Sequence, residues 1–191
     1  ILVEERMPGL ENEQIDIIFG VNWPAPLDTT RKIIGKTRYV LCASRPYLDK
    51  FGTPKNLKDL EINHNYIPHV GRKNKNNLVN LKENLNPILN INSNLKSNNA
   101  EFMKKFALEN MGIIQLHDYM IEEEIKNGSL IEILKDNFKQ EIPIYIYYQR
   151  HRFVQPKVRN FVNLFWLLTL RKNIPDAVIA RLRRSNPGQS E

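Results

Sequence analysis

The chain contains almost no cysteine. Cys42 is the single cysteine among 191 residues, so the chain cannot form an internal disulfide or a zinc site built from several cysteines. Long hydrophobic runs are also missing. The richest stretch, residues 161–170, is interrupted by Asn163 and is shorter than the roughly 18 apolar residues of a membrane-spanning helix. We therefore expect neither a disulfide-stabilised scaffold nor a membrane protein.

The short motifs of common catalytic sites are absent as well. The eight glycines form no phosphate-binding loop, and the sequence contains no G-x-S-x-G nucleophile motif. The four histidines do not have the spacing of metal ligands; they are His64, His69, His117 and His151. Cys42 lies in an apolar segment, where cysteine usually behaves as a small hydrophobic residue. We expect no enzyme activity, no cofactor and no bound metal.

Positive charge exceeds negative charge but is scattered along the chain. Lys and Arg number 28 against 21 Asp and Glu, which gives a net charge of +7. Two basic clusters, residues 72–75 and 181–184, lack the interleaved aromatic side chains that stack on nucleic-acid bases. Solvated loops and an exposed tail therefore explain the charge better than direct binding to nucleic acid does.

The N-terminal sequence does not resemble a targeting segment. The first residue is Ile1 rather than methionine, and no basic segment precedes a short apolar run. We expect no signal peptide, and we treat the chain as a fragment of a longer protein.

Strand and helix patterns alternate along the chain. A nearly continuous apolar run at residues 15–20 predicts a strand covered on both faces, and residues 30–44 predict two strands around Gly35 and Lys36. Helices are predicted at residues 46–51, from Asn98 or Asn99 to Asn110, and at 156–170, with further strands at 112–116 and 142–148. This alternation predicts an α/β protein with mostly parallel strands.

Small polar groups follow several of the predicted strands. An open parallel sheet binds ligands at the C-terminal ends of its strands, close to helix N-termini. Three segments could supply such places: Phe19-Gly20-Val21, Ala43-Ser44 and Asn98-Asn99. Their backbone N–H groups and short side chains suit a small anion or carboxylate. A helix-capping role alone explains Ser44, Asn98 and Asn99 equally well.

An ordered set of motifs resembles the effector-binding domain of LysR-type transcriptional regulators. The longest is YVLCASRPYL at residues 39–48, similar to the family pattern V-L-C-A-S-x-x-Y-L, and G-x-P and D-L patterns follow within residues 51–60. Shorter matches are IDIIFG at 15–20, SNN at 97–99, GIIQLHDY at 112–119, GSL at 128–130, PIY at 143–145 and QPKVRNF at 155–161. The set covers most of the chain, from Ile1 to Leu170.

The resemblance implies an α/β fold of the periplasmic-binding-protein-like (type 2) class, with two lobes joined by two crossover strands. The crossovers are expected near residues 40–42 and 144–147. Lobe I would comprise residues 1–40 plus 147–173, lobe II residues 41–146, and a basic C-terminal tail residues 174–191. Compared with the family pattern, this chain lacks the first βα unit of the effector-binding domain and contains no helix-turn-helix domain.

The resemblance also implies a function. A small effector would bind between the lobes and regulate transcription, and the short polar groups named above favour an anionic one. The whole regulator would be a cytoplasmic DNA-binding transcription factor and a homo-oligomer, without contact to a membrane. DNA would be bound only through a winged helix-turn-helix that is absent from this chain.

The family motifs place six residues in the expected cleft: Phe19, Gly20, Val21, Ser44, Asn98 and Asn99. Ser44 and the two asparagines are the expected hydrogen-bonding partners of an effector carboxylate. Two positions depart from the family pattern, since His117 replaces the usual proline and Asn99 replaces the usual aspartate.

Two other functions remain open at this point. A solute-binding protein of a transport system shares the fold, although it needs an export signal or a lipid-attachment cysteine. A regulator fragment without a function of its own is the other alternative, because a missing inner strand leaves buried backbone groups unpaired. The V-L-C-A-S pattern favours the regulator.

Overall fold

The computed structural model describes residues 15–25, 27–70, 93–150 and 155–173, with side chains of the last helix described up to Phe165. The two basic clusters at 72–75 and 181–184, the tail at 174–191 and the start of lobe I at 1–14 lie outside the described residues.

The described elements alternate between strands and helices. The strands are β1 (Ile18–Val21), β2 (Thr29–Thr37), β3 (Tyr39–Ser44), β4 (Ile114–His117), β5 (Leu130–Ile133) and β6 (Ile142–Gln149). The helices are α1 (Arg45–Phe51), α2 (Leu57–Asn63), α3 (Ala100–Leu108), α4 (Glu122–Lys126) and α5 (Pro156–Asn173), with 3-10 turns at Asp118–Met120 and Lys135–Asn137. This order confirms the α/β class predicted from the sequence. Among the described helices, none combines the length and apolarity that crossing a bilayer requires.

The chain divides into two compact units. One takes the described residues up to Lys36 and those from Pro143 onward, and the other is Thr37–Ile142. The chain therefore passes from one unit to the other twice, between residues 36 and 37 and between 142 and 143. The lobe boundaries expected from the sequence, 40/41 and 146/147, stay a prediction.

The first unit is built on a three-stranded sheet in the order β1-β6-β2. β1 and β6 are antiparallel, and their register runs from Ile18 opposite Tyr147 to Val21 opposite Ile144. Helix α5 covers this sheet with an apolar stripe at i, i+4 spacing, because Val158 and Val162 pack with Ile146. The helix begins at Pro156, where a missing backbone N–H is tolerated.

The second unit is built on a three-stranded sheet in the order β4-β3-β5. Alternate residues of the central strand β3 point to opposite faces. Leu41 and Ala43 belong to the core cluster under helices α1 and α2, which contains Tyr47, Leu48 and Leu60. Val40 and Cys42 belong to the cluster under α3, which contains Met103 and Ala107. β3 is therefore covered on both faces.

The sequence predicts mostly parallel strands, and this prediction is wrong for the β1–β6, β3–β4 and β3–β5 pairs. β1 is antiparallel to β6, and β3 is antiparallel to both β4 and β5. Parallel pairing occurs in two isolated bridges, Tyr66–Ile113 and His69–Ser97. A continuous apolar run indicates only that both faces of a strand are buried, and carries no information on strand direction.

Helix α1 ends at Phe51 as its sequence predicts and begins at Arg45, one residue before the predicted start. Pro46 lies in the first turn. Gly52 ends the helix with a φ of 83°, a conformation that glycine adopts without steric cost, and its N–H donates to the Leu48 carbonyl at 2.8 Å. Helix α1 follows β3 directly, so Ser44 is both the last residue of the strand and the residue before the helix.

Candidate functional site

Phe19, Gly20 and Val21 lie on β1 of the first unit. The Phe19 ring is 45% exposed and packs against Phe165, with ring centroids 5.0 Å apart. A Cβ at Gly20 would lie 2.5 Å from the Trp23 ring, so only glycine allows the indole to cover the strand at this point. Val21 is half-buried.

A polar and aromatic cluster that was not predicted from the sequence holds the loop after β1. The Tyr147 hydroxyl donates to the Trp23 carbonyl at 2.8 Å, and Arg31 donates to the same oxygen at 3.4 Å. The Arg31 guanidinium also lies over the Tyr145 ring, 4.5 Å from its centroid. Tyr147 is fully buried, and burial raises the pKa of its hydroxyl. The tyrosines of the 142–148 strand were the sequence signal for this cluster.

Ser44 lies in the second unit and is almost fully buried. Its side chain makes no capping hydrogen bond to α1. Instead, the Ser44 hydroxyl donates to the Asn110 side-chain oxygen at 2.7 Å. Ser44 therefore occupies the N-cap position of α1, but its side chain does not cap the helix.

Asn110, the partner of Ser44, follows the end of α3 and has a left-handed φ of 61°. Asparagine is one of the few non-glycine residues enriched in this conformation. In the sequence, Asn110 is predicted only as the end of a helix. Its contact with Ser44 spans 66 residues, which is why local patterns could not reveal it.

Asn98 and Asn99 are exposed and precede α3. The Asn99 side chain caps the helix, because its Oδ1 accepts hydrogen bonds from the N–H groups of Glu101 at 2.9 Å and Phe102 at 3.2 Å. The Asn99 N–H donates to the Ser97 hydroxyl oxygen at 3.0 Å. The capping role considered for Asn99 is thus present, and its side-chain oxygen is already engaged.

His117 lies in an aromatic stack where the chain enters the second unit. Its ring centroid is 4.2 Å from that of Tyr39 and 5.6 Å from that of Tyr119. Thr37 donates its only hydroxyl proton to Asp118 at 2.6 Å, and the same oxygen lies 3.3 Å from His117 Nδ1. The Thr37 hydroxyl therefore links Asp118 to the His117 ring.

Arg38 and Glu132 form a two-bond ion pair beside this stack. Arg38 Nη1 donates to Glu132 Oε1, and Nη2 donates to Oε2 at 3.2 Å. The Glu132 side chain is only 7% exposed. The hydrogen bond to Glu132 raises the pKa of Arg38. The pair joins the start of β3 to β5.

Comparison with known proteins identifies the family. The sequence pattern described as the LysR substrate binding domain matches residues 2–166. This chain belongs to the family of LysR substrate-binding domains. The resemblance expected from the motifs is therefore confirmed.

Two transcriptional regulators are similar in sequence to this LysR substrate-binding domain. An HTH-type transcriptional regulator of Haemophilus influenzae is 28% identical over 154 residues, which cover 81% of this chain and 53% of that protein. The HTH-type transcriptional regulator DmlR of Escherichia coli strain K12 is 26% identical over 162 residues, which cover 82% of this chain and 51% of DmlR. The chain spans about half the length of the curated relatives it matches.

Solved structures support the fold of this LysR substrate-binding domain. CrgA, a LysR-type transcriptional regulator from Neisseria meningitidis, superposes with a TM-score of 0.73 at 22% identity, over 85% of this chain and 56% of CrgA. The regulatory domain of AphB from Vibrio vulnificus gives a TM-score of 0.66 at 25% identity, over 82% of this chain and 76% of that domain. The expected type 2 periplasmic-binding-protein-like fold is confirmed.

The described part of this LysR substrate-binding domain contains no cluster of three or more His, Cys, Asp and Glu that could hold a metal ion. Cys42 is buried, and burial raises the pKa of its thiol, so the unreactive protonated form is favoured. An acidic depression beside α3 and α4 contains Lys104, which pairs with Glu101 at 3.3 Å and Glu124 at 3.2 Å. This lysine neutralises part of the local negative charge.

Proposed function

We propose that this chain is the effector-sensing domain of a LysR-type transcription regulator. Binding of a small molecule would alter the activity of a DNA-binding domain that lies outside these residues. The whole regulator would act as a cytoplasmic homo-oligomer, and DNA would be contacted through its helix-turn-helix domain.

The observation that carries this proposal is the family match over residues 2–166. The relatives are HTH-type transcriptional regulators, and the matched part covers about half of their length. The architecture is consistent with a sensing role. Two compact units joined by two chain crossings are an arrangement in which a ligand can shift the balance between conformations.

A small carboxylate is the proposed class of effector. Ser44, Asn98 and Asn99 carry hydrogen-bond donors on short side chains, and Ser44 lies at the end of a strand whose position is fixed by packing on both faces. Phe19, Gly20 and Val21 are proposed as further contacts of the effector. These six roles stay a prediction.

Calorimetric titration of the 191-residue chain with acetate, succinate and benzoate tests this proposal, with uncharged succinamide as the matched ligand. We expect saturable binding of at least one carboxylate and none of succinamide. The Ser44→Ala variant should weaken that binding about fivefold to tenfold, as expected for one lost hydrogen bond. The control Ser129→Ala changes an exposed serine of the same unit and should leave affinity unchanged.

Two results would contradict the proposal. Absence of binding of all three carboxylates to a folded chain would rule out the proposed ligand class. Equal affinities of the wild-type chain and the Ser44→Ala variant would remove Ser44 from the binding site.

A further inference from the structure

We propose that Asn110 determines which ligand groups Ser44 can bind. Asn110 competes with a carboxylate for the single hydroxyl proton of Ser44, so a carboxylate binds at Ser44 only by breaking the Ser44–Asn110 hydrogen bond. This inference rests on the proposed function, because it assumes that Ser44 contacts the effector.

The hydrogen-bonding capacity of Ser44 is limited by its single hydroxyl proton. A hydroxyl group has one proton to donate and lone pairs that accept. The Ser44 proton is directed at Asn110 Oδ1 across 2.7 Å. In this state the Ser44 oxygen can only accept, and an ionised carboxylate can also only accept. The two groups cannot form a hydrogen bond until the Ser44 proton turns away from Asn110.

Burial makes this competition significant. Ser44 is only 2% exposed, so water cannot readily replace a hydrogen bond that the hydroxyl loses. A buried polar group without a partner is costly. A carboxylate at Ser44 thus forms one charge-assisted hydrogen bond and breaks a weaker neutral one. The Ser44 hydroxyl therefore still contributes to carboxylate affinity, but less than it would without Asn110. A ligand group that donates, such as a hydroxyl or an ammonium, could bind the Ser44 oxygen and leave the Asn110 bond intact.

The backbone holds Asn110 in place independently of its side chain. The Asn110 N–H donates to the Ala107 carbonyl at 3.1 Å, and the next residue, Met111, donates to the Phe106 carbonyl at 3.0 Å. Neither bond involves the Asn110 side chain. The φ of 61° is readily adopted by glycine. Asn110→Gly is therefore a variant that removes the competing amide and preserves the end of α3.

The pair also connects two elements that are distant in sequence. Ser44 ends β3, and Asn110 follows α3, whose Met103 and Ala107 are fully buried in the core cluster shared with β3. Breaking the pair on ligand binding removes one of the contacts between the end of β3 and the end of α3. Asn110 would therefore determine ligand specificity at Ser44. Because it follows α3, it also links the Ser44 site to the core cluster of the second unit.

A double-mutant cycle tests this inference on the 191-residue chain. Wild type, Ser44→Ala, Asn110→Gly and the double variant are each titrated with acetate, succinate and benzoate. We expect Asn110→Gly to bind the carboxylate about fivefold to tenfold more tightly than wild type. In the Ser44→Ala background, Asn110→Gly should give no gain, because the proton for which the two acceptors compete is absent.

The possible outcomes separate this inference from the proposed function. Carboxylate binding that Asn110→Gly leaves unchanged or weakens, in a chain that still unfolds cooperatively, overturns the role of Asn110 alone. The role of Asn110 is also overturned if Asn110→Gly raises the carboxylate affinity in the Ser44→Ala background. Failure of all four chains to bind any carboxylate overturns the proposed ligand class and this inference together.

Discussion

At the scale of single residues, the second unit contains a histidine whose protonation opposes folding. His64 follows α2, and its ring centroid lies 6.2 Å from that of Tyr47. Burial lowers the pKa of His64, although the nearby Asp59 carboxylate partly offsets this effect. Its buried Nδ1 has no hydrogen-bond partner among the described residues. The neutral imidazole is therefore the form that the folded chain favours.

This environment predicts a pH dependence of stability. Between the ordinary histidine pKa of about 6.5 and the lower pKa of His64 in the folded chain, the unfolded state binds a proton that the folded state does not. The free energy of unfolding should therefore decrease as the pH falls below about 6.5. Urea denaturation at several pH values should show a smaller decrease for His64→Gln. Parallel curves for the two proteins would contradict this account.

At the scale of secondary-structure elements, local signals predict some boundaries well and others poorly. Asn99 marks the start of α3 because a helix cap acts over three residues. The break between β2 and β3 was predicted at Gly35 and Lys36 but lies at Arg38. The Arg38 carbonyl accepts from the Asp118 N–H at 3.0 Å, and its side chain pairs with Glu132. Contacts 80 or more positions away in the sequence thus fix that boundary.

The Asn99 cap predicts a measurable contribution to stability. Asn99→Ala removes the acceptor of two helix N–H groups and should lower the free energy of unfolding by about 1 kcal/mol. The neighbouring exposed Asn98 provides a matched control, and Asn98→Ala should have an effect close to zero. Urea denaturation of the two variants checks this prediction. Equal losses would show that the side chain of Asn99 does not act as a cap.

The Arg38–Glu132 pair predicts a larger effect than an ion pair at the surface. Among the described residues, Arg38→Ala leaves the nearly buried Glu132 carboxylate with one cationic partner, Lys135 at 3.8 Å. The free energy of unfolding should fall by about 2–3 kcal/mol. This is less than for a fully buried pair, because Arg38 is partly exposed. Lys126→Ala, which breaks an exposed pair with Glu122, should cost no more than about 0.5 kcal/mol. Similar losses for both variants would contradict this ranking.

At the scale of the whole molecule, the family and its fold could be predicted from ordered motifs such as residues 39–48, whereas the arrangement of the candidate site could not. Strand direction and the Ser44–Asn110 contact depend on pairings between segments far apart in the sequence. The sequence identified Ser44 and Asn99 as polar groups beside helices. It did not reveal that both side chains already have partners, which changes what each can offer to a ligand.

The most direct test of the central claim, that this chain senses a small carboxylate, is its thermal unfolding with and without acetate, succinate or benzoate. A ligand that binds only the folded state raises the melting temperature. At a concentration of about 100 times Kd, the expected rise for a chain of this size is roughly 5–10 °C, in a cooperative transition. A gradual, non-cooperative transition would instead favour a fragment without a function of its own. A cooperative transition whose midpoint none of the three carboxylates shifts would contradict the claim.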